Sequence, residues 1–182
     1  MQVTHNYIDQ RMYLNALARV EEIDFSNIRW KLSCADNSSN WSETKIIEGE
    51  AMYTGYLALL LTYEDISNSL APPELADDFW HAHILDTRKY MSDCNQLFGE
   101  YLHHFPYFGM RGDEDAANLV RSANLVFELL RYHFFSIQRY SFLTEKYSKH
   151  SDCSNCGKAC SSCKSCGPTI LSRSKSQSPI AA

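Results

Sequence analysis

The spacing of apolar residues constrains the fold of this chain more than any other feature of its sequence. After Ser42, the residues Ile46, Tyr53, Leu57 and Leu61 recur at intervals that place them on one broad face of an α-helix. Strict alternation of apolar and polar residues, which is typical of half-buried strands, is scarce. The sequence therefore predicts an all-α fold, a single helical bundle.

Small polar residues, prolines and glycines mark the expected ends of the helices. Ser42 is a candidate N-cap, and Pro72-Pro73 stand where a further helix would begin, since proline is tolerated in a first turn. Apolar and aromatic residues then continue to Gly99. A last helix is expected from a cap at Asp113 to about Phe135.

The first forty residues carry weaker patterns. A loose helical period runs over residues 8–23. Residues 36–40 form a cluster of polar turn formers, so residues 30–34 are expected to be short and extended before a loop.

The composition changes abruptly after about residue 147, where Ser, Lys, Cys and Gly replace the apolar residues. A segment of this kind has little apolar surface to bury. We therefore expect residues 1–147 to form one helical domain and residues 148–182 to form a flexible tail. The domain is long enough for a packed core without metals or disulfides.

The net charge of −5 and the scattered Lys and Arg residues argue against nucleic acid or an anionic membrane as a partner. The N-terminal residues lack the unbroken apolar stretch of a signal peptide. The longest apolar run, Leu57 to Leu61, is too short to cross a bilayer. These features predict a soluble, cytoplasmic protein, and they do not identify its partner.

Four of the seven histidines lie within 24 residues, as the pairs His81/His83 and His103/His104. Neutral imidazole is the commonest metal ligand, and the two pairs could converge if the chain reverses between them. His81 and His83 point to opposite sides of a regular helix, so one ion cannot bind both there. His81 shares a face with Asp77, and His83 shares one with Asp86, which makes each carboxylate a candidate co-ligand or hydrogen-bond partner.

Two interpretations of the histidine segment stay open. In the first, the segment binds a divalent metal ion, zinc or iron, and the domain is a metal-binding protein or a metal-dependent enzyme. A subset of five residues would supply the ligands: His81, His83, Asp86, His103 and His104. In the second, the histidines form a structural network in a non-catalytic interaction module. His133, on the predicted last helix, is a further residue that could reach the site.

The same segment also resembles a known family. The matching residues are Asp77 to Thr87, Tyr90, Asp93-Cys94, Phe98-Gly99 and His103 to Gly112. They look like the glycine-rich domain-containing protein-like family, small bacterial proteins related to a domain of larger plant and fungal proteins. The similarity extends from about Phe25 to Phe135 and implies that the same histidines matter. It implies no particular reaction or metal, and this chain has only seven glycines and no glycine-rich domain.

Five cysteines lie close together near the C-terminus. They are Cys153, Cys156, Cys160, Cys163 and Cys166. Clustered thiolates on a flexible segment suit a soft ion such as zinc or copper(I). The cluster therefore predicts a second metal site, or a segment that binds a partner, with a tail of minor functional importance as the alternative. Cys94, in the body of the chain, is expected to be a small buried side chain.

Overall fold

The computed structural model describes residues 9–34 and 40–147. These ranges contain seven α-helices and two short 3-10 helices, and they contain no strand. The α-helices are α1 (Gln10–Glu21), α2 (Ser26–Ser33), α3 (Glu43–Thr62), α4 (Glu74–Leu85), α5 (Thr87–Phe98), α6 (Asp113–His133) and α7 (Phe142–Tyr147); the 3-10 helices are Ser67–Ser69 and Gln138–Tyr140. The predicted all-α fold is confirmed.

The chain divides into two compact units, Met1–Ser141 and Phe142–Ala182. The first unit contains α1 to α6, and the second is described only over α7. The predicted boundary between residues 147 and 148 stays a prediction, because the residues after it lie outside the described part. Among the described helices, none combines the length and the apolar character that a membrane span requires.

Helix α3 forms the centre of the first unit. Its residues from Ala51 to Leu60 are buried on every side of the helix, as expected for a helix that is apolar all round. It contacts α1, α2, α4 and α6. Three tyrosines in or directly after this helix, Tyr53, Tyr56 and Tyr63, are all buried.

Several predicted helix ends are confirmed. The Ser42 hydroxyl accepts a hydrogen bond from the Lys45 amide at 3.3 Å and caps α3. Pro73 directly precedes α4. Helix α5 ends at Gly99, whose φ of +76° lies in the left-handed region that favours glycine.

Three local predictions were wrong. Residues 30–33 belong to α2 rather than to an extended segment, because Ile28 and Leu32 lie one helical turn apart and both are buried. The pattern that continues to Gly99 is two helices, because the Asp86 carboxylate accepts a hydrogen bond from the Lys89 amide and starts α5 anew. Asp113 is the first residue of α6, with Gly112 in the cap position.

Gly55 of α3 packs directly against the ring of Phe134, the residue after α6. A Cβ atom on Gly55 would lie 2.8–3.0 Å from three ring carbons of Phe134, which is fully buried. Alanine is a better helix former than glycine by about 1 kcal/mol, yet overpacking a core costs about 1–3 kcal/mol. We therefore expect Gly55→Ala to lower the free energy of unfolding, measured by urea denaturation. In the double variant, Phe134→Leu should relieve the contact and recover part of the loss caused by Gly55→Ala. If the losses of the two single variants simply add in the double variant, the two residues do not clash and the explanation is wrong.

Candidate metal site

Helix α4 supplies two of the three residues of the candidate site. Asp77 and His81 lie four residues apart and therefore share one face of the helix. The Nδ1 atom of His81 lies 3.8 Å from Asp77 Oδ2. The His81 side chain is 51% exposed and that of Asp77 is 31% exposed, so both are within reach of solvent.

His104 supplies the third residue from the segment between α5 and α6. Its Nε2 atom lies 2.7 Å from Asp77 Oδ1, and its ring centre lies 4.6 Å from that of His81. One potential ligand atom from each of the three residues lies within 4.8 Å of the others. Such a group of two imidazoles and one carboxylate could hold a metal ion.

His83 lies on the other side of α4, in the core. Its Nε2 atom is 2.9 Å from Asp93 Oδ2 and its Nδ1 atom is 3.1 Å from the Tyr53 hydroxyl. Burial lowers the pKa of His83, against an opposing effect of Asp93, and this favours the neutral ring. A neutral imidazole has one N–H, so Nε2–H donates to the carboxylate and Nδ1 accepts from the Tyr53 hydroxyl.

The other candidates from the body of the chain lie apart from this group. The Asp86 side chain caps α5, and the exposed His103 ring packs against Tyr101 with ring centres 4.9 Å apart. The Nε2 atom of His133 lies 2.8 Å from the Tyr63 hydroxyl. Burial raises the pKa of the Cys94 thiol, which disfavours the thiolate that a metal or a nucleophile requires.

The five clustered cysteines, Cys153, Cys156, Cys160, Cys163 and Cys166, lie outside the described residues. The thiolate site therefore stays a prediction.

The sequence predicted Asp77 as a co-ligand or hydrogen-bond partner of His81, without including it in the main ligand set, and the structure gives it the central place in the group. Its two carboxylate oxygens face the two imidazoles, one each. The signal for this arrangement was the spacing of Asp77 and His81. That spacing could not show that His104, 23 residues after His81, lies against the same Asp77 carboxylate.

These features define an all-α domain with a partly exposed group of two histidines and one aspartate. A family model described as UCP032817-like matches residues 27–130, which is more than half of the chain, and the chain belongs to this uncharacterised family. The matched range contains Asp77, His81 and His104. No match was found among curated proteins or among solved structures.

The family assignment corrects the resemblance drawn from the sequence. The matching family is not a glycine-rich domain family, so the assignment to the glycine-rich domain-containing protein-like family was wrong. The long histidine motif lies inside the matched range, but a motif alone did not identify the family that carries it.

Proposed function

We propose that this protein binds one divalent metal ion, zinc or iron, through Asp77, His81 and His104. The observation that supports the proposal most is the convergence of three potential ligands from two separate segments of the chain. Two imidazoles with one carboxylate are a ligand set suited to both of these metals.

The distances require a small rearrangement around an ion. Ligand atoms of a tetrahedral zinc site lie about 2.0–2.1 Å from the ion, and therefore about 3.3 Å from one another. The 2.7 Å separation between His104 and Asp77 must widen by about 0.6 Å, and the largest separation in the group, up to 4.8 Å, must shorten. The half-exposed His81 ring has room to turn, so rotation about its side-chain bonds can shorten the separations that involve His81.

An ion with three protein ligands keeps at least one coordination position for water or a substrate, which is the arrangement of catalytic rather than structural zinc. An ion held this way acts as a Lewis acid and lowers the pKa of bound water. The exposure of His81 and Asp77 would leave an ion bound here accessible to solvent. We propose on this basis that the site serves a metal-dependent reaction. The more general proposal is that the domain binds a metal ion, whether or not it catalyses a reaction.

Neighbouring residues of the same type make a direct test. We expect His104→Ala to weaken zinc binding at least 100-fold, beyond the 10–100-fold typical of outer-shell residues, and His103→Ala to leave it unchanged. The same contrast is expected between Asp77→Ala and the adjacent Asp78→Ala. Zinc affinity is measured by competition with a chromophoric chelator. Equal affinities within both pairs, or no stoichiometric binding at all, would contradict the proposal.

The clustered cysteines would bind zinc by themselves and obscure this measurement. The background is therefore the 182-residue chain with five substitutions, called the five-serine chain: Cys153→Ser, Cys156→Ser, Cys160→Ser, Cys163→Ser and Cys166→Ser. We propose that the wild-type chain binds additional zinc or copper(I) through these thiolates. The metal content of the wild-type chain minus that of the five-serine chain measures this second site.

A further inference from the structure

The position of His104 depends on what holds the segment between α5 and α6, because this ligand, unlike Asp77 and His81, does not lie on a helix. The downstream part of the segment is held by Asp115, which accepts hydrogen bonds from the backbone amides of Gly109 and Arg111. In the upstream part, nearer to His104, the Leu102 carbonyl accepts a hydrogen bond from the side chain of Tyr90 of α5.

The Tyr90 hydroxyl lies between two partners. It is 2.5 Å from the carbonyl oxygen of Leu102, two residues before His104, and 2.9 Å from the indole Nε1 of Trp80, the residue before His81. An indole N–H can only donate, so the hydroxyl accepts from Trp80 and its one proton goes to Leu102. The directions of both hydrogen bonds are thus determined by chemistry.

These contacts connect the two parts of the candidate site. Trp80 and Tyr90 are almost fully buried, and the rings of Trp80 and His104 pack edge-to-face with ring centres 4.7 Å apart. The buried Cys94 thiol interacts with the same hydroxyl and with the Leu102 backbone, which encloses the junction further. One hydroxyl group therefore joins α4, α5 and the segment that carries His104.

From these contacts we infer that Tyr90 is a positioning residue for the metal ligand His104, an inference that rests on the proposed metal site. The Tyr90 hydroxyl holds Leu102, and Leu102 sets where the His104 ring meets Asp77 and His81. Without the hydroxyl, the imidazole has to be ordered when the ion binds, and this ordering weakens the affinity.

Tyr90→Phe in the five-serine chain tests the inference. We expect a 10–100-fold loss of zinc affinity, the range typical of residues that orient metal ligands, and an altered visible spectrum of the Co²⁺-loaded protein. The matched control is Tyr13→Phe. It also removes a buried hydroxyl that donates to a backbone carbonyl, but this hydrogen bond, to Gly55 at 3.2 Å, joins α1 to α3. Its affinity and Co²⁺ spectrum should match those of the five-serine chain.

The outcomes separate this inference from the proposed function. If His104→Ala weakens binding but Tyr90→Phe behaves like Tyr13→Phe, the metal site stands and the role of Tyr90 is overturned. If the five-serine chain binds no metal, both are overturned. Should Tyr90→Phe fail to fold, Trp80→Phe replaces it, because it removes the indole N–H and keeps an aromatic ring beside His104. An unchanged affinity in that variant would overturn the inference as well.

Discussion

Replacing His83 with alanine is expected to lower the free energy of unfolding by more than about 3 kcal/mol and to leave the metal affinity of the folded protein unchanged. The ring is buried, with its edge or face against Phe25, Tyr53 and Tyr90 at centre distances of 5.0–5.9 Å. Alanine would leave a cavity among these rings, and large-to-small changes of this kind cost about 3–5 kcal/mol for aromatic side chains.

Lost hydrogen bonds add to the cost of the cavity. The Tyr53 hydroxyl would lose its partner in the core, while Asp93 would lose its contact with the imidazole and keep its ion pair with Lys89 at 2.7 Å. A buried polar group without a partner costs about 1–3 kcal/mol.

His81→Ala is the matched control, since the two histidines lie two residues apart on α4. Removing the half-exposed His81 should change stability by no more than about 0.5 kcal/mol and should weaken zinc binding. Urea denaturation of the metal-free proteins and zinc competition measure the two effects separately. A loss of zinc affinity in folded His83→Ala as large as that of His81→Ala would place His83 in the metal site, contrary to the arrangement described here.

Lowering the pH from 7 to 4 is expected to remove about 3 kcal/mol of stability through His133 alone. Burial lowers the pKa of His133 to about 4 from the ordinary value of about 6.5. Between these values the unfolded chain binds a proton that the folded protein excludes, so stability is complete above pH 6.5 and declines as the pH falls toward 4. A difference of about 2.5 pKa units at 1.36 kcal/mol each gives the expected size.

The surroundings of His133 explain why the ring resists protonation. The Tyr63 hydroxyl lies 2.8 Å from Nε2, and the Gln10 Oε1 atom lies 2.6 Å from Nδ1. The Tyr13 ring stacks on the imidazole at 4.7 Å, and Tyr132 packs against it edge-on. Tyrosine and glutamine side chains are uncharged at these pH values, so none of these neighbours stabilises an imidazolium.

His133→Gln isolates this effect, because it removes the titrating ring and keeps a side chain that can form hydrogen bonds. The decline in stability between pH 7 and 5 should be smaller in the variant than in the unchanged chain. The control is His103→Ala, at an exposed histidine, and it should show the same decline as the unchanged chain. The lowered pKa of His83 adds a decline of the same sign to all three proteins. Parallel pH profiles for His133→Gln and the unchanged chain would contradict the buried, neutral state of His133.

The fold was predictable where apolar spacing and helix caps agree. Ser42 and Gly99 combine local capping chemistry with the end of an apolar pattern, and both mark helix ends in the structure. The break at Asp86 was not predictable from spacing, because apolar residues continue on both sides of it, while the backbone leaves the helical conformation at this one residue, whose side chain caps α5. Helix α2 was missed because it is short and its buried face consists of two residues, Ile28 and Leu32.

The candidate site was predictable only in part. Helical geometry separates His81 from His83, and they do lie in different environments, one half-exposed and one buried. Which of the two meets a second histidine depends on the path of the segment after α5. That path is set by tertiary contacts, such as the hydrogen bond from Tyr90 to Leu102, which join residues with no recognisable pattern between them.

X-ray absorption at the zinc edge of the five-serine chain, loaded with one equivalent of zinc, tests the proposed metal site most directly. The expected nearest neighbours are nitrogen and oxygen atoms at about 2.0–2.1 Å, with outer-shell scattering from two imidazole rings. His104→Ala should remove the contribution of one ring. A sulfur neighbour at about 2.3 Å, which Cys34 or Cys94 would supply, or scattering from fewer than two imidazoles in the five-serine chain, would contradict a site built from Asp77, His81 and His104.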